Sequence, residues 1–94
     1  MSDDVQTLRD DDRSRYEGRV DGEVVTVLAF VRHGDVLDLT HTATEPAFRN
    51  RGLAGAVTGA ALEDVRRRGE KVHPSCAFAV AFLDDHPEYA DLRV

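Results

Sequence analysis

Residues 42–55 read T-A-T-E-P-A-F-R-N-R-G-L-A-G. Alternating threonines close a strand, Pro46, Asn50 and Gly52 mark a loop, and Leu53 and Ala54 open a helical run. A strand end, a basic loop and a helix N-terminus therefore follow one another. That succession is an anion cradle. The first amides of a helix have no intrahelical acceptor, and the helix dipole adds partial positive charge at the same end. Gly52 lets a ligand approach the backbone, and Arg49 and Arg51 bring two further charges. A pyrophosphate suits such a site.

Downstream, the pattern predicts a helix over residues 52–68. Ala54, Val57, Ala61 and Val65 share one face at spacings of three and four, and Gly69 is a C-cap. Residues 66–68, all arginine, sit at the favourable end of the dipole as a solvated run. Lys71–Pro74 reads as a short strand. Residues 75–83 read as a second helix with Ser75 as N-cap, because Phe78 and Phe82 pair at helical spacing. Residues 86–94 form a turn or short helix closing over the core.

Upstream, Val36–Thr44 alternates as a strand, with Leu37, Leu39, His41 and Ala43 on one face and Asp38, Thr40, Thr42 and Thr44 on the other. Residues 23–32 are nearly all apolar, which predicts a central strand covered on both sides. Asp21-Gly22 is a tight hairpin turn joining it to a first strand over residues 13–20. Residues 1–12 hold five Asp and little apolar material, so they read as a mobile acidic lead-in to a single domain over residues 13–94. The expected order is β-β-β-α-β-α. This is an α/β domain, a mixed sheet of about four strands with two main helices.

Composition narrows the function. With 94 residues there is room for one modest core. Net charge −6 would repel a phosphate backbone, so no nucleic-acid partner is expected. Cys76 is the only cysteine, which excludes an internal disulfide and a cysteine-rich zinc site; no metal is expected. The longest apolar runs, residues 24–31 and 76–83, are far short of the about 20 residues a spanning helix needs. The acidic start is unlike a signal peptide. These features predict a cytoplasmic protein with no membrane partner, a monomer or a homodimer.

Neither G-x-x-x-x-G-K-[ST] nor G-x-G-x-x-G occurs. What occurs is R-x-x-G-x-A at Arg49, Gly52 and Ala54. His41-Thr42 precedes it, Pro74-Ser75-Cys76-x-Phe78 follows the next strand, and His86-Pro87-Glu88-Tyr89 lies near the end. Together these resemble the GNAT acetyltransferase superfamily, whose acetyl-CoA motif is [QR]-x-x-G-x-[GA] between a strand and a helix. The chain looks similar to a very short subfamily of GNAT-like proteins, over about residues 13–92. The resemblance implies a truncated GNAT-like fold with acetyl-CoA as cosubstrate. It implies that the amides of Arg51, Gly52, Leu53, Ala54 and Gly55 hold the CoA pyrophosphate, and that Arg49 and Asn50 before them also belong to the cofactor site. It places the pantetheine arm along Thr42, Ala43 and Thr44, opposite Pro74 and Ser75, where two parallel strands splay apart. A backbone N–H near Thr42 or Ala43 would meet the acetyl carbonyl.

The implied reaction is acetyl transfer to a primary amine of unknown identity, by direct attack. Four side chains are candidates for proton transfer or nucleophilic chemistry. Cys76 opens the second helix, a position that activates a thiol; its plain alternative is a small buried hydrophobe. His41 is a candidate base, against a hydrogen-bonded core histidine. Glu45 is a candidate base because many relatives of this short type carry an acidic residue where this chain has Ala43. Tyr89 is a candidate acid for the leaving thiolate, against packing of the tail. Full-length relatives have further elements walling the acceptor site, which implies an open pocket here, or one completed by a partner. The alternative function is a non-catalytic CoA-binding sensor or interaction module.

Overall fold

Asp21 and Gly22 both adopt positive φ, 51° and 81°, as a tight hairpin turn requires. In the computed structural model, which describes residues 4–94, that turn joins β2 (Arg15–Val20) to β3 (Glu23–His33). A second turn at Gly34, φ 65°, leads into β4 (Val36–Thr44). Helix α1 (Leu53–Arg67) then crosses to β5 (Lys71–Pro74), which pairs with β4 in parallel from Val36↔Lys71 to Leu39↔Pro74. Helix α2 (Ala77–Asp85) and a 3-10 segment, Pro87–Leu92, complete the chain. Among the described residues, no helix is long and apolar enough to cross a membrane.

The mixed α/β architecture is the one expected, with one strand more. Gln6–Asp10, read from sequence as part of an acidic lead-in, is strand β1, antiparallel to β2 from Gln6↔Arg19 to Asp10↔Arg15. Its anchor is Arg9, whose side chain is 3% exposed and donates to Glu70 at 2.6 Å. The first three residues of the expected lead-in lie outside the described residues. The sheet order is β1-β2-β3-β4-β5.

Both helices pack on one face of this sheet. Tyr16, Leu28, Phe30, Leu37 and Leu39 meet Val57, Ala61, Leu62 and Val65 of α1 and Ala79 and Leu83 of α2. Burying each large side chain there stabilises the fold by about 1.5–3 kcal/mol. The expectation that β3 is covered on both sides fails: Val27 and Ala29 are half-buried and Val31 is 48% exposed on the other face.

The face assignment along β4 also changes part-way. Ala29 opposes His41 while Phe30 opposes Leu39, so Thr40 is an extra residue, a β-bulge. One inserted residue reverses the alternation beyond it. His41 and Ala43 therefore leave the apolar face and are exposed, while Thr42 and Thr44 turn inward.

Close approach of α1 to the sheet depends on Gly18. A Cβ there would lie 2.4 Å from Val57 Cγ2 and 2.5 Å from Thr26 Cγ2. Gly18→Ala is expected to lower the unfolding free energy by about 1–3 kcal/mol through overpacking. Thermal melting followed by circular dichroism measures it, and an unchanged Tm would mean that the helix is free to move aside.

Candidate functional site

Pairing between β4 and β5 stops at Leu39↔Pro74. The Leu39 carbonyl accepts both the Ser75 N–H (2.9 Å) and the Cys76 N–H (3.1 Å), which closes the apex and turns the chain into α2. Beyond that point the β5-side edge of β4 has no strand partner. Its residues His41 to Thr44 form one wall of an open cleft of ≈ 570 Å³. The opposite wall is the loop and first turn of α1, at Arg49, Asn50, Gly52, Leu53, Ala54 and Gly55.

The loop has two left-handed residues, Asn50 at φ 64° and Gly52 at φ 74°. Gly52 is the N-cap of α1 and offers no side chain to the helix amides, and the first turn holds no acidic residue. The amides of that turn are left to an outside acceptor. Arg49 donates from Nε to the Thr44 carbonyl at 3.3 Å, tying the loop back to the strand. The Arg51 guanidinium lies 5.0 Å from the centre of the Phe48 ring. Positive charge and free N–H groups thus converge beside the freed strand edge, an arrangement that binds diphosphates.

Cys76 caps α2, accepting the Ala79 N–H at Sγ (3.4 Å). Its sulfur also lies 3.6 Å from Thr42 Oγ1, so the thiol bridges the helix start and the cleft strand. Ser75, expected as the cap, instead donates its hydroxyl to Asp38. The other two candidates lie elsewhere. Glu45 is outside the cleft lining, in an adjoining recess with residues 24–27, Ala43, Thr44 and Pro46. Tyr89 packs under α1, its hydroxyl 3.8 Å from where a Gly59 Cβ would stand. Burial, and then its hydrogen bond with Glu63, holds that phenol above the usual range. The arginine run is engaged within the chain: Arg66 pairs with Asp91 at 2.6 Å, and Arg67 and Arg68 with Asp64 at 3.4 and 2.8 Å.

The sequence profile of the GCN5-related N-acetyl-transferases matches residues 15–92. The chain belongs to that family. Among curated proteins none matches it. Solved structures share the fold, two of them with the following likeness. A GCN5-like protein from Staphylococcus aureus, determined by NMR in solution, superposes with a TM-score of 0.68 at 17% identity, covering 100% of this chain and 91% of its own. The ribosomal-protein-S18-alanine N-acetyltransferase from Escherichia coli superposes with a TM-score of 0.63 at 18% identity. That match covers 84% of this chain and 50% of the Escherichia coli enzyme.

Two residues that line the cleft are not among the site residues that the sequence of this GCN5-related chain suggests. Phe48 and Phe78 both line it, from the loop and from α2. Phe78 is 38% exposed, and stacks toward Phe82 at 6.3 Å between ring centres. In the sequence its spacing from Phe82 marks a helix, and it ends the Pro74-Ser75-Cys76-x-Phe78 motif. Nothing in the spacing shows that the ring ends at the mouth of the cleft.

Proposed function

We propose that this chain transfers an acetyl group from acetyl-CoA to a primary amine by direct attack. The observation carrying that reading is the uncapped N-terminus of α1, facing a strand edge that the β4/β5 splay leaves unpaired. Family members use acetyl-CoA as cosubstrate, and the residues present fit its diphosphate: free amides from Leu53 to Gly55, two flanking arginines, and no carboxylate in the first turn.

In this reading the backbone of residues 51–55 binds the pyrophosphate. The edge at Thr42, Ala43 and Thr44 pairs with the amides of the pantetheine arm, opposite Pro74 and Ser75. A backbone N–H near Thr42 or Ala43 donates to the acetyl oxygen as negative charge develops on it, and positioning supplies much of the remaining acceleration. Cys76 and His41 stand nearest the reacting end. The Thr42 hydroxyl orients the Cys76 thiol, and His41 is exposed on the side away from the helices. Glu45 and Tyr89 do not line the cleft, so no proton step is assigned to them.

The exposed surroundings of His41 favour a second reading, a CoA-binding module without transfer. Amine-dependent release of CoA thiol from acetyl-CoA separates the two. Transfer predicts release that saturates with amine; binding by calorimetry with no release leaves the module. Direct attack further predicts that Cys76→Ser keeps the release rate within about tenfold. A loss of about 10³-fold would point instead to an acetylated cysteine between two half-reactions.

A further inference from the structure

Five carboxylates among the described residues are not exposed: Asp10, Glu17, Asp38, Asp64 and Glu70. Four have an arginine within 4 Å. Asp10 has Arg13 at 3.6 Å, Glu17 has Arg15 and Arg19 at 2.8 and 2.7 Å, Asp64 has Arg68 at 2.8 Å, and Glu70 has Arg9 at 2.6 Å. Asp38 has only the Ser75 hydroxyl. A carboxylate without a counter-charge of its own can take a cationic group from a ligand. One hydroxyl leaves its remaining lone pairs open to further donors.

The position of Asp38 is as informative as its lack of a partner. It precedes Leu39, the last residue of β4 paired with β5, so it sits at the apex of the splay. It alternates with Leu37 and Leu39 and therefore lies on the sheet face that carries no helix. The bulge at Thr40 brings His41 and Ala43 to the same face. Its cross-strand neighbours are Val31 and His73, and the His73 ring is bonded to the Val94 oxygen at 2.9 Å. Along a strand, Asp38 is roughly 10–13 Å from Thr42.

We propose that the acceptor arrives across the open sheet face, and that Asp38, oriented by Ser75, binds a second positive group of an acceptor carrying more than one amine. The proposal rests on the transfer reading above. The distance to Thr42 keeps Asp38 from the reacting nitrogen, so its role is recognition: a polyamine or a basic peptide fits, a monoamine does not reach both points. Ser75 is a positioning residue, holding the carboxylate through one oxygen.

The test compares spermidine with butylamine as probes, in thiol-release assays at about physiological salt. Asp38→Asn is expected to raise KM for spermidine about tenfold, while KM for butylamine and the acetyl-CoA affinity stay unchanged. Ser75→Ala should raise spermidine KM by a smaller factor. Asp21→Asn, which removes the same charge at a distant exposed turn, should do neither. An unchanged spermidine KM in Asp38→Asn overturns the proposal, as does an equal change in Asp21→Asn. If no amine releases thiol, the transfer reading falls, and an NMR titration decides this site separately. Spermidine should shift the Asp38 and Ser75 amides of the wild type but not of Asp38→Asn; absent or unaltered shifts overturn it.

Discussion

Gly52→Asp is expected to weaken acetyl-CoA binding by at least about 100-fold, whereas Gly52→Asn weakens it only a few-fold. The two side chains have nearly the same shape and differ in charge. Gly52 sits at φ 74°, a left-handed conformation that Asn tolerates far better than most residues. Nothing lies within 4 Å of a Cβ built there, so neither substitution collides with the protein. What changes is the field at the first turn of α1, where the dipole and the free amides favour an anion. A carboxylate at the N-cap would satisfy one of those amides itself and repel the phosphates, and close like charges cost several kcal/mol. Calorimetry at fixed salt measures both variants. Equal losses would show that backbone strain, rather than charge, sets the effect, and no loss in either would remove the cradle from the binding site.

The geometry of the candidate cradle was legible because all of its parts lie within one short stretch, from Thr42 to Gly55. Arg49, Gly52 and the helix start are read from local chemistry, and the structure puts Arg49 and residues 52–55 around one cleft with the strand edge. The hairpin at Asp21-Gly22 and the crossover through α1 were legible for the same reason. Three features were not. The edge strand β1 is charged and its anchor, Glu70, lies 61 positions from Arg9. The bulge at Thr40 leaves no mark, because threonine and alanine are equally at home on either face of β4. The contact of Ser75, just past β5, with Asp38 of β4 joins residues 37 positions apart, so local pattern gave the serine a capping role that Cys76 holds instead. Long-range polar contacts are the part of this fold that periodicity does not encode.

The clearest such contact is the buried pair that holds β1, and breaking it is expected to have the largest effect on stability. The Arg9 guanidinium donates to both oxygens of Glu70, at 2.6 and 3.2 Å, and to Asp11 at 2.8 Å. It lies over the Phe30 and Tyr16 rings at 5.3 and 5.7 Å, and the Tyr16 hydroxyl continues the network to Asp64 at 2.7 Å. The Glu70 bond, above all, holds the guanidinium charged, well above its ordinary range. Burial and then Asp64 likewise push the Tyr16 phenol up, so it stays a neutral donor. Arg9→Ala leaves Glu70, 6% exposed, with only Arg32 at 3.6 Å. Loss of one partner from a buried pair costs about 3–5 kcal/mol, whereas replacing both by apolar residues is often neutral. Arg9→Met with Glu70→Leu should therefore recover most of the stability lost in Arg9→Ala, and denaturant unfolding of the two variants measures the difference. Hydrogen exchange should localise the Arg9→Ala damage to the amides of β1, an edge strand paired only with β2. Acetyl-CoA affinity should survive in whatever fraction remains folded, because the pair grips the sheet just beyond the C-terminal end of α1 and the cradle is at its N-terminal end. A cost below about 1 kcal/mol would mean that solvent reaches the pair as it reaches surface ion pairs. The ladder to β2 alone would then hold the edge.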